Sequence, residues 1–161
     1  MATTAAGISS TTVTTDQQAP LGFPFENPTA NAGTEVWIYV KAEDALSAGQ
    51  IVMFEDGATA FEVKLTTAGS LVSTMRVVGV AQHDIASGSY GFVLAKGFGS
   101  IKAGNGAALT ANTEVTTGGT VTGGTGLDFV AGTTAPGCIV GFCTVGSAAP
   151  QALATCIINT L

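Results

Sequence analysis

Parts of this chain are written twice, and that echo limits the fold more than any other feature. ALSAGQIV at residues 45–52 reads like ALTANTEV at 108–115, an offset of 63. VVGVA at 77–81 reads like IVGFC at 139–143, an offset of 62. A further apolar run follows each copy, YGFVLA at 90–95 and ALATCII at 152–158. Matches in one order at nearly one offset predict a small unit made twice, roughly 35–95 and 90–160. YGFVLAKG then opens the second copy as VWIYVKAE opens the first. A solenoid needs about three repeats or more to stack, so two copies predict one compact domain over 34–161.

The unit reads as β-structure. In MRVVGVAQHDIASGSYGFVLAK, Met75–Lys96, the β-branched run Val77, Val78, Val80 is followed by a polar bend and then by Tyr90–Leu94. β-branched and aromatic side chains fit a pleated, half-buried surface, and Asp and Ser-Gly clusters punctuate strands. The spacing predicts a hairpin with a bend of about eight residues, longer than the commonest turns. Gly79 and Gly91 inside the strands predict close backbone approach and a curled sheet. EVWIYVK, from Glu35, sets Val36, Ile38 and Val40 against Trp37, Tyr39 and Lys41, strict alternation with bulk on both faces. Such a strand packs on its core on one side and on a partner, or a covering strap, on the other. Trp37 is therefore either a partner anchor or covered within its own chain. Gln50 to Phe54 and the alternating Phe61, Val63, Leu65 predict two more strands around the turn Glu55-Asp56-Gly57, and residues 42–47 have room for one helical turn at most.

Charge narrows the partners. Only 10% of residues are charged and the net charge is −6, with no cluster of Lys or Arg. Displacing counterions from nucleic-acid phosphates takes several clustered cations, so nucleic acid is not an expected partner. The apolar runs are too short for a membrane-spanning helix, and MATTAAGISSTTVTTDQQ lacks the basic and apolar regions of a secretory signal. Folding in a cytosol is expected. The odd thiol count, Cys138, Cys143 and Cys156, then points to reduced, core-filling cysteines.

The first 33 residues are expected to be a flexible and extended arm. Residues 1 to about 18 are rich in Thr, Ala and Ser and bury too little to offset their ordering entropy. In APLGFPFENPTANAG, Pro20, Pro24 and Pro28 recur while Leu21, Phe23 and Phe25 alternate along an extended backbone. One reading is a strap over the domain's own core. The reading adopted is an arm whose Leu21, Phe23, Pro24 and Phe25, with Trp37, dock on an adjacent protomer or another protein.

Chemistry is short of parts. His83-Asp84 is the one base–carboxylate pair, with Ser87 and Ser89 nearby, but GSYG is not a nucleophile elbow. Glu43-Asp44 and Glu55-Asp56 read as solvated turns. Four zinc ligands are not in reach of Cys138 and Cys143. The glycine-rich TTGGTVTGGTGLDFVAGTTAPG, Thr116–Gly137, has no following lysine or helix to hold phosphate and reads as a mobile hairpin tip. No enzyme activity, cofactor or metal is expected.

AGQIV followed by VVGVAQHDIASGSYGFVLAKG, within Ala45–Lys102, resembles the small head decoration (capsid cement) proteins of tailed bacteriophages. The resemblance implies an all-β, small β-barrel or β-tulip-like domain, here built from two similar β-units behind the N-terminal arm. It also implies a trimer on the outer capsid surface of the virion, clamping major capsid protein subunits. It offers no active site. The alternatives are another virion β-domain (minor capsid, tail or fibre-base) or a glycan-binding or host-adhesion module using Trp37, Tyr39 and Tyr90.

Overall fold

In a computed structural model of the chain, the described residues are 4–5, 7–29, 33–55, 60–66, 77–117, 123–128 and 139–161. They are all-β. In chain order the strands are β1 (Thr4–Ala5), β2 (Ile8–Ser9), β3 (Pro24–Thr29), β4 (Gly33–Ala42), β5 (Ile51–Phe54) and β6 (Glu62–Leu65). β7 (Val77–Ala81), β8 (Tyr90–Lys102), β9 (Thr113–Thr116), β10 (Leu127–Asp128), β11 (Ile139–Val145) and β12 (Leu153–Asn159) come after them. β1 pairs only with β2, and the other ten strands form one sheet.

That sheet closes on itself. β4 pairs with β8, β8 with β7, β7 with β5, β5 with β6, and β6 runs parallel to the end of β4, giving a five-stranded ring. The expected hairpin is here: Val80 faces Leu94 and Ala81 faces Val93 across the bend at 82–89. Its glycines do what a curled sheet requires. A Cβ on Gly79 would lie 2.8 Å from the Leu94 carbonyl oxygen, and one on Gly91 would lie 2.9 Å from Ile85 Cδ1. Inside the ring Ile38, Val40, Val52, Val63, Val78, Val93 and Ala95 form one core cluster.

β8 then runs on and opens the second unit. It pairs with β12, β12 with β11, β11 with β9, and β9 with β10. A parallel bridge from Gly126 to Ala103, just past β8, completes the circuit. The pairings repeat at the offsets of the echo. Val52 faces Gly79 and Val115 faces Gly141; Ile51 faces Val80 and Glu114 faces Phe142. Ala81 faces Val93, and Cys143 faces Cys156. Even the turn before β5 recurs: Gly49 donates to the Ala81 carbonyl at 2.7 Å and Asn112 to the Cys143 carbonyl at 2.8 Å. Both residues have left-handed backbones, φ 83° and 63°, a conformation that Gly adopts freely and Asn tolerates.

Residues 42–47 are not helical. β4 continues to Ala42, and Leu46 bridges Ile85 through hydrogen bonds of 2.8 and 2.9 Å. The tertiary pairing satisfies the backbone groups that a helical turn would have bonded locally. The turn at residues 56–59, the thiol of Cys138 and most of the glycine-rich tract lie outside the described residues. The described part of that tract is docked: Ile51 donates to the Gly124 carbonyl at 2.6 Å and Gln50 Nε2 to the Gly123 carbonyl at 2.8 Å.

The N-terminal segment is laid along the domain. Thr14 and Tyr90 exchange backbone hydrogen bonds of 3.0 and 2.8 Å, Gly22 donates to the Tyr39 carbonyl, and Tyr39 donates to the Phe23 carbonyl. β3 pairs antiparallel with the first half of β4. Beneath it Ile8, Leu21, Phe23 and Phe25 pack on a second core cluster. That cluster holds the outer face of the first ring (Trp37, Tyr39, Phe92, Leu94) together with the inward residues of the second unit, such as Ile101, Val115, Val140 and Ile158.

Candidate docking surfaces

The polar residues of the central hairpin hold backbone. Asp84 Oδ1 accepts from the Ala48 N–H at 3.1 Å, and Ser87 Oγ donates to the Glu43 carbonyl at 2.6 Å. Gln82 clamps Ser100 from both sides, accepting its N–H at 2.8 Å and donating to its carbonyl at 3.1 Å. The Asp44 carboxylate caps the Leu65 N–H, and Glu55 pairs with Lys64 at 3.3 Å. His83 stands apart: neither ring nitrogen has a hydrogen-bond partner among the described residues. Burial lowers its pKa, partly offset by the Asp84 carboxylate. No base–nucleophile pair forms around it in the described residues.

The thiols are enclosed. Cys143 and Cys156 face each other across β11 and β12, both fully buried and free. Burial pushes both pKa values up, Cys156 the more strongly. A thiol held protonated is a poor nucleophile and metal ligand. Among the described residues no three His, Cys, Asp or Glu side chains come together as a metal group, and no helix is long and apolar enough to cross a membrane.

The fold also leaves large apolar side chains open. An open groove of about 740 Å³ is lined by Pro24, Val36, Ile38, Phe54, Phe61 and Leu161, among others. On the second unit Phe98, Ile157 and Phe142 stand in register across β8, β12 and β11, 40%, 46% and 40% exposed. Leu153 and Val145, also exposed, extend the apolar area along β12 and β11.

The five residues expected to dock on a partner are mostly occupied within the chain. Leu21, Phe23 and Phe25 are half-buried against the chain's own core, with the Phe25 ring 6.3 Å from that of Phe92 in a T-shaped pair. Trp37 is 7% exposed and donates from Nε1 to Glu35 at 3.1 Å. Of the two sequence readings of this stretch, the strap describes the geometry, because intramolecular cover was available at the outer face of β4. Pro24 alone of the five is exposed, on the rim of the groove. Phe98, Phe142 and Ile157 escaped sequence reading: the echo sets Phe142 on Val80, and only the strand pairings put Phe98 and Ile157 in the places of Trp37 and Leu94.

No family model matches the chain, and no curated protein matches it. Among solved structures, the crystal structure of the head fibre gp8.5 N base in bacteriophage phi29 is similar at 17% identity and a TM-score of 0.49. The match covers 78% of this chain and 95% of that one.

Proposed function

We propose that this chain is a structural protein of a tailed-phage particle that decorates the outside of the head, binding the major capsid protein and copies of itself. The observation that carries the reading is how the side chains are used. Asp84, Ser87, Gln82 and Asp44 hold the chain's own backbone, while a set of large apolar side chains is left open: Phe98, Ile139, Phe142, Val145, Leu153 and Ile157. A surface of that kind suits shape-and-contact binding, since exposed contiguous apolar area marks an interaction site. The resemblance of Ala45–Lys102 to cement proteins and the net charge of −6 favour an outer surface over a DNA-lined interior. Capsid contact is assigned to Pro24 and the groove beside it, because Leu21, Phe23, Phe25 and Trp37 are occupied within the chain.

The test mixes the full chain with expanded empty heads and counts copies per head by gel densitometry and electron microscopy. Occupancy following the capsid lattice supports decoration. A handful of copies at isolated positions refutes it in favour of a fibre-base or tail component, and no binding refutes both.

A further inference from the structure

The two units differ in one respect that the repeat makes visible. In the first, Trp37 pairs with Leu94, Leu94 with Val80 and Val80 with Ile51, forming a row across four strands that is 7%, 0%, 0% and 0% exposed. Side chains of the second unit reach Ile51 and Leu94 in it: a Cβ on Gly126 would touch Val115, Ile101 and Ile51 together, and one on Gly99 would touch Leu94 and Ile158. The matching row in the second unit is Phe98, Ile157, Phe142 and Glu114, and it is open. The same positions on the same framework are thus buried by a β-sheet once and left bare once.

The bare face also carries ordered charge. Directly paired and alternate residues share one side of a sheet. Phe98 therefore shares its side of β8 with Lys96 and Lys102, at one edge of the row, and Glu114 on β9 lies at the other edge. A two-fold axis in the plane of the face and parallel to the strands would lay the β8 edge of each copy, Phe98 flanked by Lys96 two residues and Lys102 four residues along, over the Glu114 edge of the other. The apolar residues of β11 and β12 would meet between them. Such an interface is isologous and self-complementary. The other in-plane axis sets like charge on like.

We propose that the Phe98–Ile157–Phe142 face is a self-association surface, covered by the same face of a second copy of this chain in a two-fold pair. Four strands about 4.8 Å apart give a small contact, so the pair is expected at the weak end of the interface range. It is also a two-fold arrangement, unlike the trimer that the cement resemblance implies.

The experiment is velocity sedimentation of the full chain over a concentration series, with circular dichroism and urea midpoints as folding controls. The unchanged chain is expected to shift from one to two copies as concentration rises. Ile157→Asp, at the centre of the row, abolishes the shift with an unaltered spectrum. Glu114→Lys alone and Lys96→Glu with Lys102→Glu each raise the dissociation constant about tenfold, the size expected of a few rim charge pairs. Combining all three reversals restores it. A chain that stays single at every concentration overturns the proposal, as does a three-copy mass or failure of the combined reversal to restore pairing. If Ile157→Asp removes head binding from a chain that never pairs, the face belongs to the capsid contact instead and the proposal is wrong.

Discussion

Replacing Phe25 with alanine separates a strap from a free arm in one measurement. An arm that docks only on another protein contributes nothing to the isolated chain, so truncating its aromatic leaves the urea midpoint where it was. In this structure Phe25 is half-buried, pairs in register with Trp37 through β3 and β4, and meets Phe92 edge-on at 6.3 Å. Deleting a fully buried phenylalanine costs about 3–5 kcal/mol. Half-burial scales that to about 2 kcal/mol, and losing an edge-to-face aromatic pair adds about 0.5–1.5 kcal/mol. The expected loss is therefore about 2.5–3.5 kcal/mol, a substantial share of the roughly 5–15 kcal/mol that holds a domain together. Equilibrium urea unfolding followed by Trp37 fluorescence reads it, with Val13→Ala as a control on the same segment, since Val13 is exposed. A Phe25→Ala midpoint indistinguishable from the unchanged chain would refute the strap and return the segment to the arm reading.

Single groups give further expected outcomes. Gly49 and Gly88 both have left-handed φ, 83° and 76°, yet a Cβ at Gly49 would run into Leu153 Cδ2 and sit 2.8 Å from the Lys102 nitrogen, while one at Gly88 meets nothing. Gly88→Ala should therefore cost only the conformational strain, about 1–2 kcal/mol, and Gly49→Ala clearly more by thermal melting. His83 is half-buried with both ring nitrogens covered and its pKa lowered, so the folded state resists protonation more than the unfolded chain does. Stability is then full above the ordinary histidine value of about 6.5, falls as pH drops below it, and levels off under the folded value. His83→Gln should flatten that part of a urea-midpoint profile, and an unchanged slope would show that other groups set it. In a Cys138→Ser background, Cys143 and Cys156 should react with a thiol reagent at neutral pH only as fast as the chain opens, and fast stoichiometric labelling of the native protein would contradict their enclosure.

The strands and the hairpin were legible because their signals are local. Alternation around Val36–Lys41, the run Val77–Val80 and the interior glycines each carry their meaning within a few residues. The path of the N-terminal segment was not. Alternating Leu21, Phe23 and Phe25 between prolines show that something apolar is to be covered, but the pattern is the same whether the cover lies on this chain or on another. Trp37 and Tyr39, opposite Val36, Ile38 and Val40, posed that question from the other side, and the answer is three-dimensional: the strap lies on the outer face of the ring. Residues 42–47, with room for one helical turn at most, take none, and what holds them instead is the long-range Leu46–Ile85 bridge, which no local signal shows. The Thr116–Gly137 tract, expected to be a mobile tip, is fastened where it is described because Gly123 and Gly124 offer carbonyls to Gln50 and Ile51.

The open row was half legible, and the missing half is instructive. The strand pairings place Phe98 on Trp37, Phe142 on Val80 and Ile157 on Leu94, whereas the echo aligns only Phe142 with Val80, so sequence alone gives one apolar position of each row. It cannot say which is covered, because cover depends on the neighbour each unit meets in space. The first unit meets the second, whose Ile101 and Val115 reach Ile51 around Gly126; among the described residues nothing comparable lies over the second. A solitary chain built only for its own stability gains nothing from three large apolar side chains about 40% to 46% exposed in register. Glu114, standing where the covered row has Ile51, is the informative departure. A carboxylate at the margin of an apolar row suits a surface that is wet when alone and met by a cation when paired. Lys96 and Lys102 on the opposite margin are placed to supply that cation from a second copy.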